Sequence, residues 1–124
     1  MVFAAIFILA AVTYRVYSEH AGPRFDEGLQ KFEADTKKTL PTKVDERTTW
    51  VDVKYERTKN IYWFVMDTKD GTVDPRELEQ DVHSQLCANA DALRTIREKG
   101  FSYEFHYVNK AQVSLANFTI AKCP

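Results

Sequence analysis

Residues 1–17 (MVFAAIFILAAVTYRVY) constrain this chain more than any other stretch, because one apolar segment there decides which solvent the remaining hundred-odd residues meet. No charged side chain occurs before Arg15, and the next is Glu19. A helix rises about 1.5 Å per residue, so the run reaches roughly 25 Å, slightly short of a hydrocarbon core of about 30 Å. Arg15 and Tyr17 extend its reach, since a cationic stem snorkels to the headgroups and tyrosine favours that interface. The expectation is a retained transmembrane anchor with Phe3, Ile6, Phe7, Ile8, Leu9 and Val12 facing lipid. The main rival is a cleaved signal peptide, which the length suits. Against it, no basic region precedes the run and no clean small-x-small site follows. A buried soluble helix is the third reading. Arg15 and Arg24 lie on the side assigned to the periplasm, so the positive-inside rule does not fix the orientation.

Residues 18–24 (SEHAGPR), with Gly22-Pro23, read as a linker, and residues 25–124 as one domain. That length sustains a single modest core. Lysine plus arginine numbers 17 against 18 acids, so there is no basic surplus for gathering nucleic acid by counterion release.

Local patterns predict an α+β fold. Phe25, Leu29 and Phe32 recur at helical spacing, with acids early and lysines late, and Pro41 stops that helix. Over residues 49–56, Val51, Val53 and Tyr55 alternate with Asp52, Lys54 and Glu56, a strand with one wet face. A polar turn leads to residues 61–67 (IYWFVMD), apolar on both faces, hence a central or covered strand. Asp74, Pro75 and Glu77 open a second helix whose apolar face is Leu78, Val82, Leu86, Ala90 and Leu93, with Gly100 as its stop. Asn89 and Asp91 leave room for two shorter helices meeting near Cys87. Phe101, Tyr103, Phe105 and Tyr107 then alternate onto one face of a third strand. Residues 113–123 return as a fourth, and a phase change near Ala116-Asn117 suggests a bulge. The expected order is α-β-β-α-β-β, a two-layer domain with two helices on a four-stranded antiparallel sheet.

Candidate chemistry is sparse. Cys87 and Cys123 form a disulfide if the domain is exported, closing a loop of about 36 residues and stabilising it by about 3 to 4 kcal/mol. Two buried thiols are the alternative. Glu79, His83 and Cys87 share a helix flank at i, i+4 and i+8, and with Cys123 they number four candidate metal ligands. No Cys-x-x-Cys or His-x-x-x-His pair supports that set. Residues 70–77 (DGTVDPRE) match the second half of a calcium loop, but Met66 and Thr68 stand where the first carboxylates belong. A loop followed by a capped helix explains the same residues. His20, His83 and His106 are the only imidazoles, none beside a nucleophile; no phosphate loop, G-x-S-x-G elbow or H-E-x-x-H helix occurs. The sequon at Asn117 falls within a strand and reads as chance. No catalytic residue, metal or cofactor is assigned.

Leu40-Pro41, Val44-Asp45 and Thr48 before the first strand, then Cys87, Gly100, Tyr103, Tyr107 and a terminal Cys123, resemble a group of small exported bacterial proteins of mostly unassigned function. The likeness covers residues 39–123 and implies an extracytoplasmic location without catalytic residues. Type IV pilins are also similar in layout, but Ala5 replaces their glutamate and Gly22-Pro23 interrupts the helical run. The expected function is a single-pass interaction module in the bacterial inner membrane, its domain in the periplasm, serving as an accessory subunit of a larger inner-membrane complex. The alternatives are an immunity or exclusion protein that binds a toxin or phage component, and a small enzyme. The expected partners are a membrane-associated protein and, through the N-terminal helix, the bilayer.

Overall fold

In the computed structural model, residues 25–69 and 71–124 are described. The anchor at residues 1–17, with Phe3, Ile6, Phe7, Ile8, Leu9 and Val12, and the linker at residues 18–24 lie outside them. Among the described residues no helix is long and apolar enough to cross a membrane.

The described chain runs α1 (Phe25–Lys37), β1 (Thr42–Lys43), β2 (Thr48–Tyr55), β3 (Lys59–Met66), α2 (Pro75–Ala88), α3 (Ala90–Lys99), β4 (Ser102–Asn109) and β5 (Ser114–Ile120). The five strands form one sheet in sequential order. The α+β class is as expected, but the sheet has five strands instead of four and is not wholly antiparallel. β2 and β3 pair antiparallel, as do β4 and β5, but β3 and β4 run parallel, with Trp63 opposite His106. The cause is the helical crossover between them, which returns the chain to the end of the sheet where β3 began. β1 is two residues on the outer side of β2, too short for any periodicity to betray it.

The second helix is two helices, broken at Asn89. The Asn89 Oδ1 accepts the Ala92 N–H at 3.0 Å and starts α3, and its own N–H donates to Leu86 at the end of α2. Gly100 takes the left-handed conformation, φ 68°, that ends α3, and the Phe101 N–H closes back on the Thr95 carbonyl. At the start of α2, Asp74 Oδ1 accepts the N–H groups of Arg76 at 2.9 Å and Glu77 at 3.5 Å. Asp74→Ala is expected to cost about 1 kcal/mol in urea unfolding, with little change in the slope of the transition.

The core lies between the sheet and the three described helices, all on one side. Tyr62 and Phe64 of β3, Tyr103, Phe105 and Tyr107 of β4 and Phe118 of β5 form a ladder of buried rings. Phe64 stacks on Tyr107 at 4.8 Å and Tyr62 on Phe105 at 5.5 Å. Leu78, Val82 and Leu86 of α2 and Ala92 and Ile96 of α3 belong to the same core. α1 covers the β2 side through Leu29 and through Phe32, whose ring lies 5.0 Å from that of Tyr55. Two bulges adjust the pattern. One falls between Trp50 and Asp52, letting Trp50 and Val53 both turn inward. The other sets Leu115 between the pairs Val108–Ser114 and Tyr107–Ala116, one residue before the expected place.

Candidate functional site

The α2 flank and the chain beyond β5 meet as one unit. Cys87 and Cys123 form a disulfide, with Cα atoms 5.6 Å apart, as the export reading expected. One turn earlier, the Nε2–H of His83 donates to the Lys122 carbonyl at 2.9 Å. Glu79, His83, Thr119, Ile120, Ala121 and Lys122 line a shallow recess of about 320 Å³ there. Glu79, His83 and Cys87 do share a flank, but the two sulfurs bond each other and the imidazole is held by a carbonyl. The four-ligand set is therefore not assembled.

In the stretch that resembles a calcium loop, Met66 ends β3 and Asp74 spends its carboxylate on the start of α2. Asp70 lies outside the described residues. Among the described residues no group of three His, Cys, Asp or Glu side chains is placed to hold a metal ion.

The face of the sheet away from the described helices carries a cluster that no local sequence pattern announces. His106 stacks on Trp63 with ring centres 5.4 Å apart, and its Nε2 lies 2.5 Å from Glu104 Oε2. Lys59 Nζ lies 3.1 Å from the other Glu104 oxygen. Glu104 and His106 stand two residues apart on β4, which places them on one face, and the parallel register brings β3's Lys59 and Trp63 alongside. The half-buried Val65 and Val108, a register pair, continue the apolar strip. The hydrogen bond from His106, aided by Lys59, holds the Glu104 carboxyl below the usual glutamate range against a smaller opposing effect of burial. A carboxylate depressed in the fold adds stability that is complete above its unfolded value, about 4.3, and lost as pH falls through the lower folded value. His106→Gln is accordingly expected to flatten the acid limb of the stability curve below about pH 5. Paired urea titrations from pH 5 to pH 2 read this out, and unchanged limbs contradict it.

On the helical face, the hydroxyls of Thr95 and Tyr103 share a hydrogen bond of 2.7 Å between buried residues. Burial raises the Tyr103 phenol to about 12, and raises those of Tyr55 and Tyr107 further. All three stay protonated at physiological pH. They belong to the core, and the geometry gives none of them a reacting partner. His106 and the Asn117 of the sequon face each other as a register pair on β4 and β5, and Asn117 is exposed. His20 lies outside the described residues.

The described domain is thus a two-layer body whose β5 end is tied to α2 by a disulfide and whose other sheet face is left uncovered by the described helices. The two-layer fold itself occurs in solved structures. The pilotin EpsS of the Vibrio vulnificus type 2 secretion system matches with a TM-score of 0.64 and 12% identity, over 76% of this chain and 88% of that one. The type II secretion system pilotin AspS of Vibrio cholerae matches at 0.56 and 18% identity, over 81% and 97%. The chain shares its fold with these pilotins. A protein of Pseudomonas aeruginosa described as secreted also matches, at 0.59 and 12% identity, over 76% and 86% of the two chains. No family model matches the sequence, and no curated protein does. At these identities the likeness is one of fold, and it agrees in kind with the group of small exported bacterial proteins that the sequence resembles.

Proposed function

We propose that this chain is a membrane-tethered interaction module whose domain, residues 25–124, works in the bacterial periplasm as an accessory subunit of a larger envelope complex. The observation that carries the reading is the fold shared with two pilotins, components of type 2 secretion systems. The Cys87–Cys123 disulfide supports it, because such bonds persist in oxidising compartments. The mechanism is equilibrium binding without chemistry. The apolar segment at residues 1–17 confines the domain to the inner-membrane surface, which raises its effective concentration for a partner held in the same membrane. The open face built on Trp63, Val65, His106 and Val108 suits this role: rigid central strands present it, and half-buried apolar groups lie beside a fixed ion pair.

Purification of the full chain from gently solubilised membranes tests the reading. A stoichiometric protein complex is the expected result. A chain that purifies alone from membranes in which it is expressed at native level contradicts it.

A further inference from the structure

The two edges of the sheet are finished differently. On the β2 side the short strand β1 covers Thr49 and Trp50, and a bulge follows. Glu33 Oε1 of α1 then accepts the Tyr55 N–H at 2.7 Å, and Asp52 Oδ1 accepts the Val53 N–H at 2.9 Å. These are devices that blunt an edge against further pairing. β5, the other edge, has little of this. From Ser114 to Ala121 the sequence SLANFTIA contains no charge and no proline, and its bulge sits at the start, at Leu115. Beside the far end of the strand lies the recess between α2 and residues 119–122.

We infer that the β5 edge is a strand-addition site, which takes an extended, uncharged segment of a partner protein as a sixth strand. The inference rests on the reading of the chain as a protein-binding module and adds an edge contact beside its open face. An occupant one strand wide avoids a crowding that a second copy would meet. Paired strands lie about 4.8 Å apart, whereas packed helices need about 8 to 10 Å. α2 packs on β5 and is tied to the chain beyond it, so joining two β5 edges crowds two α2 helices together. The chemistry of the occupant follows from the edge. A charge placed along Ser114 to Ala121 would meet no counter-charge on that strand, so the segment is neutral, with β-branched and hydroxyl side chains. Where it passes the recess, which Glu79 and Lys122 help to line, an Asn or Gln amide suits a wall that carries a carboxylate residue and a lysine.

The test uses displayed random heptapeptides selected on the full chain, followed by hydrogen exchange with the enriched peptides. The expected result is enrichment of uncharged, β-branched sequences with an Asn or Gln, and slowed exchange confined to amides of residues 114–121. The double substitution N117K/T119K places charges at two exposed positions and is expected to weaken binding at least tenfold with the thermal midpoint unchanged; Asn117→Thr retains binding. Absence of enrichment, protection centred on another surface, or binding indifferent to N117K/T119K overturns the inference. So does protection of β5 that rises with concentration of the chain alone, which identifies a second copy. Failure here alongside a co-purifying partner removes the strand-addition site and leaves the interaction role standing. Absence of any membrane partner removes the role itself.

Discussion

Replacing both Cys87 and Cys123 with serine is expected to lower the stability of the domain by about 4 kcal/mol, the chain-entropy value for a loop of 36 residues. For a body of this size the loss corresponds to a fall of roughly 15 to 30 °C in the thermal midpoint. The size of the effect follows from what the bond joins. It closes the loop holding α3, β4 and β5, so without it the unfolded chain regains the freedom of that whole loop. The native state loses the tie that keeps residues 121–124 against α2, where Arg97 also contacts the Pro124 carbonyl oxygen. Treatment of the native chain with a dithiol reductant should reproduce the serine variant. A change below about 1 kcal/mol contradicts a structural role for the bond.

Phe105→Ala is expected to cost about 3 to 5 kcal/mol, a comparable loss by a different mechanism. Phe105 is 1% exposed at the centre of the ring ladder, stacked on Tyr62 at 5.5 Å, Phe64 at 6.3 Å and Phe118 at 5.5 Å. Truncation removes buried apolar surface and leaves a cavity walled by rings on two neighbouring strands, which the fixed register prevents from collapsing. Val113→Ala is the control. Val113 is 57% exposed, and its loss should stay within about 0.5 kcal/mol. Urea unfolding of the two variants gives the comparison, and equal effects contradict the assignment of the ladder as the core.

Alternation in β4 placed Tyr103, Phe105 and Tyr107 on the buried face and His106 on the other, because a strand with helices on one side only must bury alternate residues. The apolar character of β3 on both faces marked it as central, which its place in the sheet bears out. Phase along β2 was harder to read. The regular Val51, Val53 and Tyr55 hid the bulge that turns Trp50 inward with Val53, and a bulge has no period of its own. The parallel junction of β3 and β4 was missed because local pattern identifies hairpins and says little about how two hairpins meet across a long crossover. The open-face cluster was half visible: spacing puts Glu104 and His106 side by side. Lys59 and Trp63 join them only through the parallel register, which no local pattern encodes. The pairing of the cysteines came from the expectation of export and not from their spacing, and it agrees with the structure.

Thiol labelling of Cys87 and Cys123 in fractionated cells, before and after reduction, tests the central claim most directly, since one sample reports both compartment and redox state. The chain should sediment with the inner membrane and take up label only after a reductant has been added. A chain found in the soluble cytoplasmic fraction, with both thiols reactive from the outset, contradicts a tethered module working in an oxidising space.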